Sequence, residues 1–62
     1  MMAVLYRVNF FDHAGDIFRT MRFTRDSDAE AIAEAHRSNT LPRLAASFEV
    51  WQDDRLVHRQ RD

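Results

Sequence analysis

Apolar and polar side chains alternate near the start of the chain, and this alternation limits the fold more than any other feature. One face of residues 4–11 carries four apolar groups: Val4, Tyr6, Val8 and Phe10. A period of two with β-branched and aromatic residues predicts a β-strand. A strand with one apolar face needs partner strands and a covering layer, so the chain is expected to build a sheet-based fold.

The segment that follows predicts a hairpin. The turn DHAG at residues 12–15 holds the only glycine of the chain, a residue that adopts positive φ without steric cost. A four-residue loop would place Phe10 opposite Ile17 in a second strand at residues 16–24. This register collects most apolar side chains on one face, whereas a shift of one residue scatters them over both faces.

The middle of the chain predicts one helix. Residues 27–30 form a capping box, in which the Ser27 hydroxyl accepts from the Glu30 amide and Glu30 reaches back. The segment AEAIAEAHR that follows is rich in good helix formers. Its spacing predicts a thin buried stripe that lies close to a sheet, formed by Ala29, Ile32, Ala33 and His36.

The last third of the chain predicts a second hairpin. Strands are expected at residues 45–52 and 55–60, joined by a two-residue turn at Asp53-Asp54. With this turn Trp51 lies opposite Leu56. Phe48, Val50 and Val57 are expected on the face that meets the helix.

The order of these elements predicts the topology. Pro42, in the connection after the helix, does not continue a helical segment. A right-handed crossover places the third strand beside the first. We therefore expect a single α+β domain, residues 1–62: a four-stranded antiparallel ββαββ sheet in the order 2-1-3-4, with the helix packed on one face.

The same registers leave bulky apolar residues on the face opposite to the helix: Leu5, Phe11, Phe18, Trp51 and Leu56. An exposed apolar patch of this kind is unusual for a monomer. A 62-residue chain without cysteine has marginal stability and no disulfide to add to it. We expect these five residues to form the interface of a non-catalytic homodimer or protein-interaction module; scattered surface apolar residues of a monomer are the alternative.

An open sheet with arginine and aromatic side chains is also typical of nucleic-acid binding. The candidate residues are Arg7, Phe18, Arg22 and Trp51. All nine basic residues are arginine, which fits phosphate recognition but also follows from a GC-rich genome. A net charge of −1 gives no long-range attraction to nucleic acid or to a membrane surface, so this function ranks second.

No pattern of residues predicts an enzyme, a cofactor or a metal site. Ser38 and Ser47 have no evident histidine and carboxylate partners for nucleophilic catalysis, and one glycine cannot build a phosphate-binding loop. Asp12, His13 and Asp16 cluster in one turn. Their spacing matches no strong ligand motif, and such residues are common in turns for backbone reasons.

His58 is expected to face Glu49 across the third and fourth strands, either as a cross-strand polar pair or as a pH-responsive interface contact. No apolar run approaches the roughly 20 residues that span a bilayer. Residues 1–11 lack the architecture of a signal peptide. We therefore expect a cytoplasmic protein.

Three segments together resemble a class of short, uncharacterised bacterial proteins: YRVNFFDHAGDI, the capped alanine-rich helix, and FEVWQDDRLVHR. These proteins share an aromatic strand, a turn, a second strand, a D-x-x-A-x-x-x-A helix and a terminal x-V-W-x-x-x-R-x-V hairpin. The resemblance covers nearly the whole chain and implies a ββαββ domain of unknown function. It transfers no catalytic residue. Asp53-Asp54 stands in a turn where glycine is easier.

Overall fold

A computed structural model describes residues 3–40 and 43–61. The four strands form one antiparallel sheet in the order β2-β1-β3-β4, and the helix α1 contacts β2 and β3. This confirms the expected α+β fold. The elements are β1 (Val4–Phe11), β2 (Ile17–Arg25), α1 (Asp28–Ser38), β3 (Ser47–Gln52) and β4 (Arg55–Arg61). The expected role of Pro42 falls outside the described residues.

The core lies between α1 and the two central strands. Alternate residues of β1 and β3 point into it, as the sequence pattern predicts, and the helix contributes only small side chains. A residue of the α1–β3 connection closes one end, because the Ala45 amide donates to the Asn39 side-chain oxygen at 2.7 Å. The buried residues are Tyr6, Val8, Phe10, Ala31, Ala35, Ala45, Phe48 and Val50.

The helix turns a different face inward from the expected one. Ala31 and Ala35 are buried, whereas Ala29 and His36, expected inside, are exposed. The inward face is therefore rotated by one residue, which is about 100° on a helix of 3.6 residues per turn. Alanines stand at alternate positions from Ala29 to Ala35, so the apolar pattern alone does not distinguish between neighbouring faces.

A hydrogen-bonded group fixes the start of the helix over the sheet. The buried Tyr6 hydroxyl donates to Asp28 Oδ1 at 2.8 Å, and the Arg55 guanidinium donates to both carboxylate oxygens at 3.1 and 3.2 Å. Hydrogen bonds from Arg55 and then from Tyr6 lower the pKa of Asp28. Burial, followed by the bond to Asp28, raises the pKa of Tyr6. Asp28 thus links β1, α1 and β4.

A second ionic group ties the middle of the helix to β2. Glu34 Oε1 accepts from Arg25 at 2.7 Å and from Arg37 at 2.8 Å. The hydrogen bonds from Arg37 and then from Arg25 lower the pKa of Glu34 from 4.5 to about 2. The charged carboxylate is therefore favoured in the folded protein.

Glu34→Gln is expected to lower the melting temperature by a few degrees at neutral pH, because Gln cannot reproduce both ion pairs. A lowered folded pKa stabilises above the unfolded pKa, and this contribution is lost as the pH falls from 4.5 towards about 2. The melting difference from wild type should therefore shrink over that range. Thermal unfolding followed by circular dichroism measures it, with the exposed Asp16→Asn as control. A constant difference across this range contradicts the assignment.

The first hairpin has a register different from the expected one. Phe10 pairs with Arg19 and Phe11 pairs with Ile17, so a β-bulge leaves Phe18 as an extra residue. The reason is the turn, which closes one residue later than expected: the Asp12 amide donates to the Asp16 carbonyl at 2.9 Å. The later turn and the bulge together exchange the faces of Ile17 and Phe18, while residues 19–24 keep their expected faces. Phe18 therefore packs against the core, and its expected place on the opposite face is wrong.

The second hairpin also contains a bulge. Trp51 pairs with Leu56 as expected, but Val50 pairs with His58, which leaves Val57 as the extra residue. Glu49 pairs with Arg59, so the expected pairing of Glu49 with His58 is wrong. The turn forms without glycine because Asp53 adopts φ 51°, a left-handed conformation that aspartate tolerates better than most residues.

Both histidines of the second half of the chain lie on the helix side of the sheet. The His36 ring meets Phe48 edge to face at a centroid distance of 5.0 Å. His58 lies 6.2 Å from both Phe48 and His36. His58 is therefore not part of the face opposite to the helix.

Candidate interaction surface

Within the described part of the chain, α1 packs on only one face of the sheet. The opposite face, called the uncovered face below, is formed by cross-strand neighbours of all four strands. Its members are Leu5, Arg7, Asn9 and Phe11 of β1; Ile17, Thr20, Arg22 and Thr24 of β2; Ser47, Glu49 and Trp51 of β3; and Leu56, Arg59 and Arg61 of β4.

One end of the uncovered face is centred on Trp51. Its cross-strand neighbours are Arg7 on β1 and Leu56 on β4, and Leu5 lies two residues from Arg7. The Arg7 guanidinium carbon is 5.8 Å from the centroid of the Trp51 ring, and Trp51 Nε1–H donates to Glu49 Oε1 at 3.0 Å. The indole is therefore held in one orientation. Leu5 and Leu56 are 56% and 38% exposed beside it.

The other end of the uncovered face carries the Phe11–Ile17 pair. Phe11 is half-buried and Ile17 is 53% exposed. Phe11 forms one wall of an open depression of about 350 Å³, which is bordered by His13 of the first turn and by Arg59 and Arg61 of β4. This end is therefore apolar on β1 and β2 and basic on β4.

A polar belt separates the two apolar ends. Arg59 Nε–H donates to Glu49 Oε2 at 3.0 Å, and Arg59 Nη2 lies 2.9 Å from the same oxygen. The Thr20 hydroxyl donates to Asn9 Oδ1 at 3.2 Å. These groups largely satisfy one another. Four residues of a strand span roughly 13 Å, which is the separation of the Trp51 and Phe11 ends.

Charge is unevenly distributed over the uncovered face. Its strands carry Arg7, Arg22, Arg59 and Arg61 but only one carboxylate, Glu49. Arg7 and Arg22 lie directly opposite each other, and among the described residues neither forms a salt bridge. Like charges in this position destabilise a sheet. The overall charge of −1 therefore conceals a basic surface.

The structure brings together four of the five residues expected at the interface: Leu5, Phe11, Trp51 and Leu56. The fifth, Phe18, lies on the helix side, where the Arg43 guanidinium carbon is 4.0 Å from its ring centroid. Of the residues proposed for nucleic acid, Arg7, Arg22 and Trp51 share the uncovered face and Phe18 does not. Sequence reasoning missed Ile17, because only the bulge moves it to this face.

Comparison with protein-family models, with curated proteins and with solved structures found no match. The resemblance to short bacterial proteins is therefore supported only as far as the ββαββ architecture itself. Across residues 3–40 and 43–61, no group of three or more histidine, cysteine or acidic residues could hold a metal ion, and no helix has the length and apolarity to cross a membrane.

Proposed function

We propose that this protein is a non-catalytic interaction module that forms a homodimer through the uncovered face. The observation that carries the proposal is the exposure of Leu5, Ile17 and Leu56, at 38–56%, on one side of a domain whose helix covers the other side. Burial of such a side chain contributes roughly 1.5–3 kcal/mol. The lack of cysteine fits the cytoplasm, where we place the dimer.

The edges of the sheet favour contact through the face. Each edge strand contains a bulge, at Phe18 in β2 and at Val57 in β4. Each also carries three arginines, β2 at positions 19, 22 and 25 and β4 at positions 55, 59 and 61. Bulges and charged residues discourage edge-to-edge pairing. A second sheet packed face to face, about 10 Å away, is therefore the better arrangement.

The size of the uncovered face sets the expected affinity. Four strands about 4.8 Å apart and about six residues long give a face of roughly 19 by 20 Å. This is smaller than the roughly 800 Å² that each partner contributes to a standard interface. We therefore expect a dissociation constant in the micromolar range, which corresponds to a binding free energy of about −8 kcal/mol.

Leu5→Arg tests this proposal against a closely matched control, Leu44→Arg. Leu5 is 56% exposed on the uncovered face, and Leu44 is 57% exposed in the connection before β3. Leu5→Arg is expected to raise the dissociation constant at least tenfold, because a charge is placed in an apolar contact, whereas Leu44→Arg leaves it unchanged. Sedimentation equilibrium from about 10 µM to 1 mM gives both constants. Equal constants for the two variants contradict the proposal.

The pair Arg7 and Arg22 also supports a second candidate, binding of single-stranded nucleic acid. Two features weigh against it: Arg7 already lies over the Trp51 ring, and the Trp51 N–H already has an acceptor in Glu49. Trp51 is the only tryptophan, so its fluorescence reports binding of an oligonucleotide directly. Binding that weakens steeply between about 50 and 200 mM salt supports this candidate, and its absence at low salt removes it.

A further inference from the structure

The turns at the two ends of the uncovered face carry carboxylates, while its strands carry the arginines. Asp53 and Asp54 form the β3–β4 turn and are exposed. Asp53 borders a small depression of about 80 Å³ together with Leu5, Arg7 and Arg22. At the opposite end, Asp16 follows the β1–β2 turn and is also exposed. A surface of this design can neutralise its arginines with the turns of an identical surface.

The first turn is less available for this purpose than the second. Asp12 Oδ1 accepts from the amides of Ala14 and Asp16 at 3.0 Å, and Asp12 Oδ2 lies 3.6 Å from Arg43. The Asp12 carboxylate is therefore held by its own turn and by Arg43. Among the described residues, no side-chain hydrogen bond or salt bridge holds the Asp53 or Asp54 carboxylate.

We propose that the Arg7–Arg22 pair of each protomer receives the Asp53-Asp54 turn of the second copy. The dimer axis would then run parallel to the strands, between β1 and β3. This inference rests on the proposed homodimer and adds its orientation. It also brings further anionic groups to the cross-strand arginine pair, which within one protomer has only the exposed Asp53 beside it.

The observed registers determine what a two-fold rotation about this axis superposes. β1 of one protomer lies over β3 of the second copy, and β2 lies over its β4. Each row of cross-strand neighbours meets the same row of the second copy. Arg7 and Arg22 then meet Trp51 and Leu56 of the second copy, next to its acidic turn. Apolar and cationic groups alternate across the interface, and the site forms twice by symmetry.

A two-fold axis perpendicular to the strands is the alternative for face-to-face packing. It would lay β3 and β4 over themselves, so Glu49 would meet Glu49 and Arg59 would meet Arg59 across the interface. The parallel axis instead places Glu49 over Asn9 and Arg59 over Thr20. Like charges at a desolvated interface repel, and this favours the parallel axis.

A charge exchange tests the orientation. Arg22→Glu and Asp54→Arg each place like charges together at both sites of their own homodimer, so each alone is expected to raise the dissociation constant about tenfold or more. In an equimolar mixture, each of the two sites of the heterodimer brings opposite charges together. The mixture is expected to dimerise within about threefold of wild type. Sedimentation equilibrium measures the affinity, and native mass spectrometry identifies the mixed dimer.

Asp16→Arg mixed with Arg22→Glu is the matched control, because the perpendicular axis brings these two positions together and the parallel axis does not. The orientation is wrong if Asp16→Arg restores dimerisation with Arg22→Glu, or if Asp54→Arg does not restore it. Either result leaves the homodimer itself in place. A monomeric wild-type protein overturns both. Circular dichroism checks that each variant folds. If Arg22→Glu does not fold, Arg22→Gln takes its place, with an expected rise of about threefold in the dissociation constant.

Discussion

Trp51→Arg is expected to dissociate the dimer, with a dissociation constant about 100-fold or more above that of wild type. Trp51 lies between Arg7 and Leu56 at the apolar end of the uncovered face. Tryptophan in such a position is a frequent hot spot, worth 2 kcal/mol or more on truncation. Arginine in its place adds a charge beside Arg7. A loss of about 2.8 kcal/mol corresponds to the hundredfold change.

Trp51→Phe is the control for this substitution, because it keeps an aromatic group and adds no charge. It is expected to weaken the dimer less than about tenfold. Light scattering coupled to size exclusion gives the mass of each variant, and circular dichroism shows whether the monomer stays folded. A folded Trp51→Arg variant that dimerises with wild-type affinity contradicts the role of this residue.

Phe48→Ala is expected to destabilise the protomer by about 3–5 kcal/mol, as large-to-small substitutions at fully buried aromatic positions do. Phe48 is 1% exposed, and its ring centroid lies 5.8 Å from Phe10 and 5.0 Å from His36. A domain of this length has a total stability of roughly 3–9 kcal/mol. The variant is therefore expected to lose at least about a third of its stability, and to be largely unfolded if the total is near the lower limit.

The matched substitution Phe23→Ala removes the same group from a half-buried position on the edge strand β2. It is expected to have a clearly smaller effect, because a half-buried side chain loses less buried apolar area on truncation and the site at the edge of the sheet can relax. Urea unfolding followed by far-ultraviolet circular dichroism measures both free energies. Equal losses for the two variants would contradict the placement of the core.

The fold follows from strong local patterns. The alternation of β1, the capping box at Ser27 and the two turns predict four strands and one helix in the observed order. The inward residues Tyr6, Val8 and Phe10 follow from the same alternation. These features depend on short-range periodicity, which a single sequence contains.

The parts that sequence reasoning missed depend on interactions between distant residues. The bulge that exchanges the faces of Ile17 and Phe18 accompanies the closure of the first turn, and residues 19–24 keep their expected faces with new cross-strand partners. The rotation of α1 depends on Asp28, which binds Tyr6 and Arg55 from other strands. Neither effect leaves a signal in the apolar pattern.

Most residues of the candidate surface were predictable from the sequence, including Arg7 and Arg22, but their cross-strand pairing was not. Leu5 and Trp51 follow from strand alternation, whereas the Arg7–Arg22 pair requires the true register of the first hairpin. The same holds for the pair Glu49 and Arg59, which sequence reasoning replaced with Glu49 and His58. Register errors therefore affect pairings between strands more than they affect the choice of face.

The solution mass of the wild-type protein tests the central claim most directly. Sedimentation equilibrium over about 10 µM to 1 mM is expected to show a mass that rises with concentration from 7.4 kDa towards twice that value. A chain that stays at 7.4 kDa over the whole range and remains folded would show that this sheet needs no second copy to cover it.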